Sequence, residues 1–313
     1  MLKQVCDRVA AKVFKPRGCV FMLHRVDERD DRRLFPNENM KVCPELLDSF
    51  LQWGQEPFSF IRCAQVPEYV ASGNEKPFMA FSLDDGYKDN LTKALPIFKK
   101  HGVPFTVFFA TDFAERKAVL WWYELEDLLL RHETIELSDG SEYSCKTMPE
   151  KCDVFMQIRE KILALGQADF VTKLNELFSR YDVDWTKQCE RLCMSWEDIE
   201  KLKDEPLADI GAHTKRHCNL RMLETEAQVR QEISAGMELL REKAGVESDV
   251  LAYPFGTANE AGRREFETAR KMGFRCAYAA GGGAINRWNV RHTFSLPRIM
   301  LTEEYIKKCL TAR

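Results

Sequence analysis

Apolar positions follow two rhythms along the chain. Residues 20–23, 58–61, 78–83, 103–109, 207–212, 250–253 and 274–279 are mostly continuous apolar runs. Such runs suit strands of a parallel sheet covered on both faces. Between them, apolar residues recur at helical spacing. Residues 44–53 place Leu46, Leu47, Phe50 and Leu51 on one side, and residues 226–244 do the same with Val229, Ile233, Met237 and Leu240. Further helices are predicted over 90–101, bent at Pro96, over 195–203, opened by a Ser195/Asp198 capping pattern, and over 262–272. Gly102, Gly245 and Gly273 mark helix stops. A last strand is predicted over 294–300. This alternation predicts an α/β fold.

The alternation breaks between residues 115 and 194. That stretch reads as a helix over 122–132, a hairpin at Ser138-Asp139-Gly140, and helices over 149–165 and 167–180. We read it as a mainly helical insertion in a single domain spanning 1–313. A chain of 313 residues fits one barrel domain. Its net charge of -3, with both signs mixed along the sequence, speaks against a nucleic-acid partner. No run nears the roughly 18 apolar residues of a membrane span. The eleven cysteines are odd in number and irregular in spacing, and the start, Met1 to Arg8, lacks the apolar run of a signal peptide. We read them as reduced thiols of a cytoplasmic protein, with Cys189 and Cys193 as neighbours on one helix face.

Polar residues concentrate at strand ends. Asp84-Asp85-Gly86 closes the run 78–83, and adjacent carboxylates need a cation or a shared proton to relieve their repulsion. His213-Thr214-Lys215-Arg216-His217 follows the strand ending at Ala212 and places two imidazoles on one side of a short segment. Two histidines and one aspartate make the three-ligand set of a catalytic zinc or similar divalent ion, leaving the second aspartate free to act as a base. Pro254-Phe255-Gly256 and Arg298 also lie at strand ends, the active-site face of a parallel barrel.

Three of these motifs, in this order, resemble those of the polysaccharide deacetylases, the NodB-homology carbohydrate esterases. They are Phe81-Ser82-Leu83-Asp84-Asp85-Gly86-Tyr87, His213 to His217, and Tyr253-Pro254-Phe255-Gly256. The resemblance implies a distorted (β/α) barrel and metal-dependent hydrolysis of an N- or O-acetyl group on a sugar of a polysaccharide or glycan precursor. It implies Asp84 as general base and Asp85, His213 and His217 as ligands of one divalent ion, zinc before other transition metals. Tyr253 and Phe255 would contact substrate, and the Phe255 N–H would donate to the oxyanion.

The chain departs from the family pattern twice. Ala252 stands where an arginine often orients the base, and Arg298 or Arg25 is the candidate replacement. Leu296-Pro297-Arg298 stands where the family's last motif carries a histidine. His24, ending the first strand as in members that look circularly permuted, is the first candidate for the general acid, and His292 the second. Trp121-Trp122-Tyr123 could pack in the core or offer faces to a sugar. Two rival functions remain: an amide hydrolase for a small non-sugar molecule, and a catalytically silent carbohydrate-binding protein.

Overall fold

The computed structural model describes residues 15–311. The reading of Met1 to Arg8 lies outside the described residues. Seven strands form the path of the main sheet: β1 (Gly18–Leu23), β2 (Phe78–Asp85), β3 (Phe105–Phe109), β4 (Ala208–Ala212), β5 (Val250–Ala252), β6 (Cys276–Tyr278) and β7 (Ile299–Met300). Their spatial order is β6-β5-β4-β3-β2-β1-β7, and every neighbouring pair is parallel. A further short strand, Ser59–Phe60, pairs with the start of β2. The two ends of the path approach each other through isolated bridges, Tyr278 with Leu296 and Gly281 with Arg298. The sheet is therefore a parallel, curled, incompletely closed barrel.

Alternation along each strand sorts side chains between two layers. Phe21, Leu23, Phe81, Leu83, Val107 and Phe109 meet the surrounding helices in one core. Val20, Ala80, Phe108, Ala252, Tyr278 and Leu296 pack together in another, inside the curl. Ser82, Thr106 and Arg298 are fully buried polar residues. Parallel order brings every strand's C-terminal end to one rim, where a functional site belongs.

The helices form largely where periodicity places them, and side chains close their ends. Ser195 Oγ accepts from the Asp198 N–H at 3.2 Å, and Gly245 ends Glu226–Ala244 at φ +61°. The predicted helix over 90–101 is two pieces: a π-helical segment Asn90–Ala94, then an α-helix Leu95–His101 with Pro96 in its first turn. Proline has no N–H to give to the preceding turn. The last strand is much shorter than predicted. Residues 293–295 form a 3₁₀ turn, and only Ile299–Met300 pairs as strand. Pro297 lies between them and has no N–H for a ladder.

The insertion carries Trp121–Arg131, a hairpin of Thr134–Glu136 with Glu142–Ser144, Met148–Leu163 and Phe170–Leu177. Its apolar residues make their own cluster, from Trp121 to Trp185, joined by Leu34 and packed against Phe255. The ten described cysteines are free thiols, with Cys189 on a short helix and Cys193 just past its end. No described helix is long and apolar enough to cross a membrane.

Candidate metal centre and its polar surroundings

Asp84 and Asp85 end the fully buried strand β2. Strict alternation would turn one of them toward the helices. At Asp85 the backbone instead takes φ +78°, followed by Gly86 at φ +90°. That break brings the Asp85 carboxylate to the histidines that follow β4. A Cβ at Gly86 would stand 2.4 Å from the Phe109 ring, so the turn admits only glycine.

Asp85 Oδ1 lies 3.4 Å from His213 Nε2 and 3.1 Å from His217 Nε2. It is buried yet accepts no well-formed hydrogen bond. Burial alone would raise the Asp85 carboxyl, but His217 and His213 outweigh it and hold the group well below the ordinary carboxylate value. His213 Nδ1 is 2.7 Å from the Ala252 carbonyl, which assigns the proton to Nδ1 and leaves Nε2 a free lone pair. One carboxylate oxygen and two imidazole nitrogens thus converge within 4.8 Å of one another. The donor set and the unsatisfied oxygen fit a divalent transition ion such as zinc.

Asp84 has a different partner. Arg298 Nη1 donates to Asp84 Oδ1 at 2.7 Å and to Ser82 Oγ at 3.0 Å, and Nε reaches the Ala279 carbonyl at 3.3 Å. In register, Ile299 of β7 is level with Phe21 of β1, and hence with Phe81 of β2. Arg298 therefore starts below Asp84, and its side chain climbs the inside of the curl past the Phe108 ring, 5.6 Å away. Only a long cation spans that rise. Burial pushes the Asp84 carboxyl up, but Arg298, His213 and His24 more than compensate and keep it below its ordinary value. Arg25 is placed elsewhere. It pairs with Asp89, donates to Tyr123 Oη at 2.8 Å and covers the Tyr87 ring.

His24 follows β1 directly, with its carbonyl held by Asn90 Nδ2 at 2.9 Å. Its Nδ1 is buried without a partner. Burial lowers its pKa, against the pull of the Asp85 and Asp84 charges. His292 is exposed and lies against Trp288, apart from the carboxylates. His101 pairs with Asp48, and His132 packs on Tyr181.

The third motif is divided. Phe255, at φ +58°, sets its ring 4.7 Å from that of His217. Tyr253 departs from the expectation that it contacts substrate. It is 1% exposed, packs on Phe266 and donates its hydroxyl to the Phe294 carbonyl at 2.9 Å, so it serves the core. The tryptophans of the insertion also divide. Trp121 stacks on Phe155 in the insertion core, whereas Trp122 reaches Tyr87 Oη with its N–H at 3.1 Å and lies 5.6 Å from the His217 ring. Among the described residues, four of the five non-glycine residues at positive φ are Asp85, Thr214, His217 and Phe255. Backbone strain concentrated in this way marks functional sites. Glu232, which binds the histidine loop, was missed by sequence reasoning because it lies mid-helix, outside any motif.

The family model for polysaccharide deacetylase matches residues 71–277, more than half of the chain. No curated protein matches. Among solved structures, the chain is similar to the Streptococcus pyogenes deacetylase PplD in complex with acetate, with a TM-score of 0.60, 15% identity, and coverage of 94% of this chain and 99% of that one. It is also similar to IcaB from Ammonifex degensii, at TM-score 0.57, 15% identity and coverages of 94% and 95%. A de-N-acetylase from Aggregatibacter actinomycetemcomitans gives 0.53, 13%, and coverages of 93% and 98%. At these identities the likeness is one of fold.

Proposed function

The chain belongs to the polysaccharide deacetylase family, and on that premise we propose a divalent-metal-dependent hydrolase, best suited to zinc, that removes an N- or O-acetyl group from a sugar of a polysaccharide or glycan precursor. One observation carries this reading. A buried carboxylate oxygen without a hydrogen bond stands 3.1 and 3.4 Å from two imidazole nitrogens, while the adjacent aspartate is held apart by its own arginine. Asp85, His213 and His217 would hold the ion, which lowers the pKa of water and polarises the acetyl carbonyl.

The chain's own residues divide the remaining work. Asp84 takes the proton of the attacking water, ionised and aimed by Arg298. The Phe255 N–H donates to the oxygen that gains charge as water adds to the acetyl carbon. His24, in the protonated form that its lowered pKa makes the minor one at neutral pH, protonates the sugar nitrogen or oxygen as its bond to that carbon breaks, and acetate leaves. Arg298 beside Asp84, and His24 in the charge field of both aspartates, favour a catalyst over a silent sugar-binding protein.

Zinc content and acetate release, measured together across acetylated glycans and cyclic amides, test the proposal. Asp84→Asn keeps the metal and loses turnover, whereas His213→Ala loses both. Equal metal content and activity in all three proteins would sink the assignment, and turnover of cyclic amides alone would move it to the non-sugar amide hydrolases.

A further inference from the structure

The loop from His213 to His217 is held in an unfavourable shape, with φ +68° at Thr214 and +56° at His217. Such conformations persist only where the surroundings over-determine them. On one side the Thr111 and Asp112 N–H groups donate to the Thr214 and Lys215 carbonyls at 3.3 and 2.9 Å; on the other the loop meets Glu232, a carboxylate on the helix Glu226–Ala244 that is 5% exposed. Its Oε1 accepts from the Arg216 backbone N–H at 2.6 Å and its Oε2 from Arg216 Nε at 2.7 Å. Its backbone carbonyl accepts from the Lys215 N–H at 3.2 Å. The helix comes this close because a Cβ at Gly236, one turn on, would stand 2.6 Å from the Thr214 carbonyl oxygen. Arg216 Nη1 donates to the Gln167 carbonyl of the insertion at 3.2 Å, so the guanidinium is fixed from a second side. Arg216 and His217 both line the 280 Å³ cavity between the insertion and Phe255.

We propose that Glu232 and Arg216 are positioning residues for the metal centre: the pair locks the strained loop so that His217 Nε2 faces Asp85 before any ion arrives. The inference rests on the metal reading given above. A charged acceptor that takes both the main-chain and the side-chain donor of one residue fixes that residue's backbone as well as its charge. The residue so fixed is the immediate neighbour of His217. Partners that orient ligands typically change metal affinity 10–100-fold when removed.

A buried pair that merely stabilises the fold is the competing explanation, and the molecule supplies a control. Glu265, 2% exposed, pairs with Arg264 at 2.7 Å on the helix Arg263–Lys271. Metal-stripped wild type, Glu232→Gln, Arg216→Lys and Glu265→Gln are titrated with Zn2+ against a chromogenic chelator, and the thermal unfolding of each metal-free protein is recorded. The expected result is a zinc affinity lowered about 10–100-fold in Glu232→Gln, lowered less in Arg216→Lys, and unchanged in Glu265→Gln despite a comparable loss of thermal stability. Unchanged affinity in Glu232→Gln, or an equal fall in Glu265→Gln, overturns the proposal and leaves the metal reading intact. Should Glu232→Gln fail to fold, Arg216→Lys decides by the same criterion. A folded wild type that binds no zinc overturns the metal reading and this proposal with it.

Discussion

The ligand cluster and the partners of Asp84 reach the same rim by different routes. Asp85 ends β2, and His213 and His217 sit in the turn directly after β4, all within residues 71–277, where the family model matches. His24 and Arg298 come from the ends of β1 and β7, both outside that span. The proposed ligands lie in two short motifs because an ion needs its donors at one point. The residues that serve Asp84 need only arrive there, and a curled sheet offers several strands from which to arrive. Arg298 uses the length of its side chain, and His24 uses the position of a strand tip beside β2. On the proposed assignment, the metal ligands and the base are thus fixed by local spacing, and the partners of the base by topology.

The comparison breaks most decisively at Asp84. Asp84→Asn should lower acetate release about 10²–10⁴-fold, the usual range for an acid–base residue, with zinc content unchanged. Zinc lost together with activity would mean that Asp84 belongs with the ligands. Arg298→Met comes next. It leaves the Asp84 charge buried and unpaired, which costs on the order of 3–5 kcal/mol. Denaturant unfolding should show that loss, and the double variant Asp84→Asn/Arg298→Met should recover much of it. A double variant as unstable as Arg298→Met alone would make the arginine a packing element. His24→Gln should lower turnover by roughly 10²-fold at neutral pH and leave zinc bound. If KM rises and kcat stays constant, His24 contacts substrate without moving a proton.

Much of this was legible in the sequence, for reasons that differ by residue. Asp84-Asp85 and the His213/His217 pair could be read because their neighbours in sequence are also their neighbours in space. The barrel could be read because buried parallel strands leave continuous apolar runs. Arg298 was one of two candidates, and only the register of β7 against β1 separates it from Arg25, which Asp89 and Tyr123 hold. Tyr253 misled because its motif predicts proximity to the site, while its hydroxyl points to the Phe294 carbonyl. The strain at Asp85, Thr214, His217 and Phe255 left no trace in composition, since none of these is glycine. The helix Glu303–Thr311 was not predicted at all, although Ile306 on it is fully buried.

The smallest expected effect concerns pH, and it separates the two routes without an assay of turnover. Burial lowers the His24 pKa below the 6.5 of a free imidazole, whereas Arg298 and the imidazoles for Asp84, and His217 and His213 for Asp85, hold the two carboxyls below 3.8. A base whose folded-state pKa is depressed binds fewer protons folded than unfolded below its unfolded value. Its contribution is therefore complete above pH 6.5 and is lost as the pH falls from there through the folded-state value. The carboxylates obey the same sign, but their loss begins only near pH 3.8. In metal-stripped protein, the unfolding free energy of wild type should fall as the pH drops below 6.5, with His24 contributing at most about 1.4 kcal/mol per pH unit. His24→Asn should remove that part of the slope and keep the steeper fall below pH 4. Identical profiles for the two proteins would mean that the His24 ring is solvated in the metal-free state, and that the rim at β1 opens when the ion is absent.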